Sequence, residues 1–156
     1  TVIARNPVMR EGDVYMLNDP YHGGTHLPDV TVVTPVHLDA ALTPRPRPSF
    51  YVASRGHHAD IGGSTPGSMP PFSATIDEEG VLFDNFLLVR DGACHQRELR
   101  AQLATTTWPA RNPDQNIADL VESLGHAARG VLVSAEIHQP SFEGAYVRII
   151  RVGSAP

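Results

Sequence analysis

"VTVVTPV", residues 30–36, decides the fold of this chain. Every residue but Pro35 is β-branched, and side chains of that kind are stiff at χ1 and pack well on a pleated sheet. The run therefore reads as a strand. Downstream, "TPRPRPS" (43–49) cannot join a helix or a sheet interior, because its prolines remove donors and fix φ. It reads as an exposed connector to a second strand, "FYVAS" (50–54), and the two strands are expected to pair as an antiparallel hairpin. Upstream, "DVYMLND" (13–19) alternates and stops at Pro20, which predicts a third strand closed by a turn. The loop "PYHGGTHLPD" (20–29) lies between them.

Farther along, "GVLFDNFLLVR" (80–90) reads as a strand with helix as the competing assignment, and "QRELRAQLA" (96–104) as a short helix. In "NPDQNIADLVESLGHAARG" (112–130), Asn112 can cap a longer helix, Pro113 suits its first position and Gly130 can end it. "AYVRIIRV" (145–152) alternates as a terminal strand. The expectation is an α+β fold: a mixed, largely antiparallel sheet with metal-site loops at one edge and two C-terminal helices.

Composition narrows the function. At 156 residues, 41% hydrophobic and 19% charged, the chain is long enough for one domain with a core. The net charge of −5, without a basic block, argues against nucleic acid as a partner. No apolar run approaches the roughly 20 residues of a membrane helix. All twelve basic residues are arginine. Schiff-base chemistry on lysine and the P-loop pattern are therefore excluded from this segment. A single cysteine, Cys94, excludes an internal disulfide and fits a reducing, cytoplasmic compartment. The start, "TVIARNPVMREGD", lacks an initiator Met and reads as cut from something longer.

The chemistry gathers where the hairpin begins and ends. "HLPD" enters the first strand and "GHHAD" leaves the second, so pairing brings His26, Asp29, His57, His58 and Asp60 together, with Asp19 and His22 nearby if "DVYMLND" joins the sheet. Residues three apart on a straight strand are about 10 Å apart, so each His-x-x-Asp needs a turn to converge. Two imidazoles and a carboxylate facing one point suit Zn²⁺, Fe²⁺ or Mn²⁺ with open positions. A second carboxylate, Asp60, would orient a ligand imidazole through its other N–H. Alternatively, the aspartates only bind turn amides and the histidines are solvated. His22, His37, His95, His126 and His138 read as surface or turn residues. In "IGGSTPGS", Gly62, Gly63 and Ser64 could present amides to an anion, and Arg55 could hold a carboxylate or phosphate.

"GDVYMLNDPYHGGTHLPDVTVVTPV", "YVASRGHHADIGGSTPGSMPP", "EEGVLFDNFLLV" and "RNPDQNIADL" resemble the B part of the hydantoinase B/oxoprolinase family, over roughly residues 3–122. The resemblance implies a divalent metal (Zn, Mn or Fe) on His26, Asp29 and His57, with His58 at the family's variable position. Asp60 and His58 are then the catalytic candidates, and Arg55, Gly62, Gly63 and Ser64 the substrate-binding ones. It implies cytoplasmic cyclic-amide hydrolysis of the 5-oxoprolinase type, with N-methylhydantoinase or ketone carboxylase activity as the alternative. ATP would be used by a partner hydantoinase A/oxoprolinase part, not bound here. The family's "DLRAQ" reads "DLVES" at 119–123, and the likeness is lost after Gly125. The expectation is a partial domain, 1–125, and a divergent tail, 126–156, inactive in isolation or a non-catalytic remnant.

Overall fold

The computed structural model describes residues 1–37, 48–132 and 146–151. Its centre is the predicted hairpin. β2 (Asp29–Val36) pairs antiparallel with β3 (Phe50–His57) in an unbroken register from Asp29 opposite His57 to Val36 opposite Phe50. β1 (Val14–Leu17) lies on the other side of β2. Outside β1 comes β4 (Phe86–Arg90), then the two-residue β5 (Ala93–Cys94), and β6 (Tyr146–Arg151) pairs with β3. The strand order is β5-β4-β1-β2-β3-β6, and each pairing is antiparallel, so no parallel component appears among the described residues.

Alternation along the strands divides the side chains between two faces. Val30, Val32 and Met16 join Ile61, Val81, Phe83 and Leu88 in the larger core. Two helices contribute to that core. α2 (Gln96–Ala104) adds Leu99 and Leu103, and α3 (Pro113–Leu132) adds Leu120. Burying a large apolar side chain stabilises by about 1.5–3 kcal/mol, so this face carries most of the apolar stabilisation. Tyr15, Leu17, Val33 and Tyr51 point the other way. They pack under Val2 of the one-turn helix α1 (Val2–Arg5) and under Met9.

Several expectations shift in detail. β3 runs through His57 rather than stopping at Ser54, because its ladder with β2 continues to Asp29. Of residues 80–90 only Phe86–Arg90 form a strand. Asn85, with φ 59°, turns the chain just before it. Asp91 and Gly92, both at positive φ, make the tight turn into β5. In α3 the side chain of Asn112 accepts from the Gln115 amide at 3.3 Å, as a cap should, but the helix passes through Gly130 to Leu132. The terminal strand forms at 146–151. The connector expected at 43–49 falls largely outside the described residues. No helix among them is long and apolar enough to cross a membrane.

Candidate metal centre at the strand ends

Two turns deliver the site. In "HLPD" the Asp29 amide donates to the His26 carbonyl at 3.0 Å, which closes the gap an extended His-x-x-Asp would leave. The His58 amide then donates to the Pro28 carbonyl at 2.9 Å and ties "GHHAD" to the same turn. Asp29, directly opposite His57 in the ladder, is the hub. His57 Nδ1 lies 2.8 Å from its Oδ1, His26 Nδ1 lies 3.0 Å from its Oδ2, and the Thr25 hydroxyl donates to Oδ2 at 2.6 Å. Partial burial pushes the Asp29 carboxyl up, but the hydrogen bonds from Thr25, His57 and His26 outweigh it and hold the group down at about 2. Asp29 is therefore an anion at neutral pH. The two rings remain half exposed, with 60% and 52% of their side-chain surface accessible.

The structure thus gathers His26, Asp29 and His57 around one carboxylate, and this donor set suits a borderline divalent cation. The three are not drawn tightly. Among the described residues, the group with a ligand atom from each member within 4.8 Å of the others is Asp19, His22 and Asp84. There His22 Nδ1 sits 2.6 Å from Asp19 Oδ2, while Asp84 is held in an ion pair by Arg5. His22, expected to be a surface or turn residue, is half exposed in a one-turn 3-10 helix and is part of this cluster.

His58 and Asp60 lie differently from the expectation. Successive strand side chains point to opposite faces, so His58 cannot follow His57 toward Asp29. It turns inward, only 2% exposed, with Nδ1 3.1 Å from Asn116 Nδ2 and 3.7 Å from Asp119 Oδ2. Burial pushes its imidazole down, more than the charge of Asp119 pulls it up. Asp60 does not orient the His26 or the His57 ring. Its oxygens accept from the amides of Gly62 (3.0 Å), Gly67 (3.1 Å) and Arg111 (3.2 Å), and Arg111 Nη1 donates at 2.6 Å. The orienting contacts expected from Asp60 come from Asp29.

The amides of the glycine loop are also committed within the chain. Gly63 N donates to the Trp108 carbonyl at 3.0 Å and Ser64 N to the Glu78 carbonyl at 2.7 Å. A Cβ at Gly62 (φ +94°) would lie 2.5 Å from the Trp108 carbonyl oxygen, and one at Gly63 (φ +92°) 2.8 Å from that of Glu78. These glycines admit close packing of backbone on backbone. The anion cradle expected of Gly62, Gly63 and Ser64 therefore gives way to structural bonds.

Arg55 stands on the same sheet face as Asp29 and His57, one same-face step from His57, or about 7 Å along the strand. Its Nε donates to Thr31 Oγ1 at 2.7 Å and Nη2 to the Gly23 carbonyl at 3.1 Å. It edges a cavity of about 370 Å³ whose walls include Leu17, Val33 and Ala53 of the sheet and Ile3 of α1. Sequence reasoning missed Asn116 and Arg111, whose partners lie more than fifty residues upstream; nothing local marks either. Cys94 is half-buried and burial pushes its thiol up, outweighing a bond from Gln96, which suits a resting thiol rather than a nucleophile.

Fold and site together define a segment of an antiparallel α+β domain that sets two imidazoles on one carboxylate at the mouth of a hairpin. Residues 1–137 match the model of the hydantoinase B/oxoprolinase family, and the chain belongs to that family. It is 43% identical to a 5-oxoprolinase of Dictyostelium discoideum over 82% of its length, and 38% identical to 5-oxoprolinase 1 of Arabidopsis thaliana over 94%. It spans only 9% and 12% of those two relatives. The crystal structure of an ATP-dependent caprolactamase from Pseudomonas jessenii superposes with a TM-score of 0.67 at 25% identity. That match covers 83% of this chain and 21% of the caprolactamase chain.

Proposed function

We propose that this chain is the metal-holding segment of an ATP-dependent cyclic-amide hydrolase of the 5-oxoprolinase type, with His26, Asp29 and His57 holding one divalent cation of the Zn, Mn or Fe class. The observation that carries the reading is Asp29, an anion contacted on its two oxygens by imidazoles from the turn before β2 and the end of β3. Relatives named for 5-oxoproline and for caprolactam support a lactam as substrate.

Such a ring amide resists hydrolysis because it is resonance-stabilised and unstrained. Phosphorylation of its oxygen, in a partner hydantoinase A/oxoprolinase part that uses the ATP, would make it electrophilic. A bound cation supplies Lewis acidity, polarising an oxygen and lowering the pKa of water. The chain's own residues do the rest. Asp29 keeps both rings in register, and Arg55, on the same face, offers a guanidinium to the carboxylate or phosphate of the activated substrate. Asp60 and Arg111 hold the neighbouring loop still. A cytoplasmic setting suits the free thiol.

The test uses the complete polypeptide together with its hydantoinase A/oxoprolinase part. Wild type should carry stoichiometric metal and release glutamate from 5-oxoproline with ATP, and a His26→Ala, His57→Ala double variant should lose both. Bicarbonate-dependent consumption of a ketone would instead support a carboxylase. Metal content unchanged in the double variant would overturn the site.

A further inference from the structure

Beneath the site, on the face away from Arg55, lies a polar contact that the proposed chemistry does not use. Asn116 of α3 is 2% exposed. Its Nδ2 donates to the Asp60 carbonyl at 2.7 Å and to His58 Nδ1 at 3.1 Å. The amide has one workable orientation, since reversal would set its oxygen against a carbonyl oxygen. In that orientation Oδ1 is buried without a hydrogen-bond partner among the described residues. A leucine of similar volume would fill the space and remove the orphan Oδ1, but it would take these donors from the Asp60 carbonyl and His58 Nδ1, so what the amide adds here is its pair of donors.

Those donors act on the turn that immediately follows His57. They fix the His58 ring and the Asp60 carbonyl on one side of it, while the His58 amide fixes the turn to Pro28 on the other. His57, the last residue of β3, directly precedes these anchors, and from there its Nδ1 reaches Asp29. Asp119, one helical turn beyond Asn116, places Oδ2 3.7 Å from the same ring. Among the described residues, α3 reaches this turn through the buried amide of Asn116, with Asp119 beside the same ring.

We propose that Asn116 is a positioning residue for the His26, Asp29 and His57 site, holding the turn directly after His57 and so the strand end from which His57 meets Asp29. This rests on the metal reading above. Replacing a residue that orients a metal ligand typically weakens binding about tenfold or more. In the complete polypeptide, Asn116→Leu and Asn116→Asp, which both lose the donor pair, should weaken Mn²⁺ or Zn²⁺ binding by about that factor. Leu120→Ala, a core truncation on the same helix, should lower Tm while leaving metal affinity within about twofold, because remote packing does not set ligand geometry. Asn116 variants that bind like wild type, or a Leu120→Ala that loses affinity equally, would overturn the proposal.

Amide hydrogen exchange without metal keeps the two readings apart. If His57→Ala leaves metal binding intact, the metal reading fails, and exchange alone decides the role of Asn116. Faster exchange confined to residues 26–30 and 56–61 in Asn116→Leu supports positioning. Exchange that rises throughout the sheet, or nowhere, overturns it.

Discussion

Asp60 is the residue whose charge the fold uses most fully. Burial pushes its carboxyl up, but the amides of Arg111, Gly62 and Gly67 and the Arg111 guanidinium outweigh this and hold it below the ordinary 3.8. A carboxylate depressed in the folded state contributes stability that is complete above its unfolded value and is lost as pH falls through the lowered one. Asp60→Asn should therefore reduce stability at neutral pH by about 1–3 kcal/mol. It should also flatten the acid limb below 3.8, read as urea midpoints against pH on metal-free protein. A variant with an unchanged acid limb would remove Asp60 from the account. At this scale the sequence was partly legible. The convergence of His26, Asp29 and His57 could be read because Asp29 opens β2, His57 closes β3 and His26 lies in the turn leading into β2, and that pairing was itself readable. That His57 rather than His58 meets Asp29 follows from strand alternation once β3 extends to 57, and the spacing alone could not supply it. Asn116 and Arg111 were illegible because their roles depend on which loop a helix start meets in space.

Among the elements, α2 was readable to its ends: an unbroken run of good helix formers buries Leu99 and Leu103 on one side. α3 began where Asn112 and Pro113 predicted. Asn112→Ala removes the bond to Gln115 N and should cost about 0.5–2 kcal/mol, measured by thermal denaturation, with no loss of metal binding. A loss above that range would mean Asn112 does more than cap. The region 80–90 was misjudged because an apolar run can be buried without being a strand. Val81 and Phe83 are fully buried, yet Asn18 takes their main-chain groups through its side chain, accepting from Phe83 N at 2.6 Å and donating to the Val81 carbonyl at 2.8 Å. Asn18, through its side chain and its own amide, thus substitutes there for a neighbouring strand. Helix α1 escaped notice because four residues give too few turns for a periodic signal.

For the molecule as a whole, the sheet is a partition with unequal cores, α2 and α3 on one side and α1 with Met9 on the other. The hairpin, the antiparallel character and the two helices could all be anticipated. The strand order could not, since β4 returning to pair with β1 is a long-range choice that no local pattern encodes. β6 covers the outer edge of β3 along Phe50–Arg55. Removing residues 146–151 would bare a row of unpaired amides and carbonyls, and such edges recruit other chains. The truncated protein should self-associate in sedimentation velocity runs at concentrations where the intact one does not. If it stayed monomeric, that edge would have some other protection.

The direct opposition of Asp29 and His57 has a consequence for how such a chain can change over time. A strand displaced by one position presents its other set of side chains, so Arg55 and His57 would turn away from Asp29 together. The site is therefore indexed to an odd-even count along β3. Extra residues arriving before Phe50 could be absorbed without altering that parity, whereas a single insertion between Phe50 and His57 would erase the centre at one stroke, with every one of its residues still present in the gene.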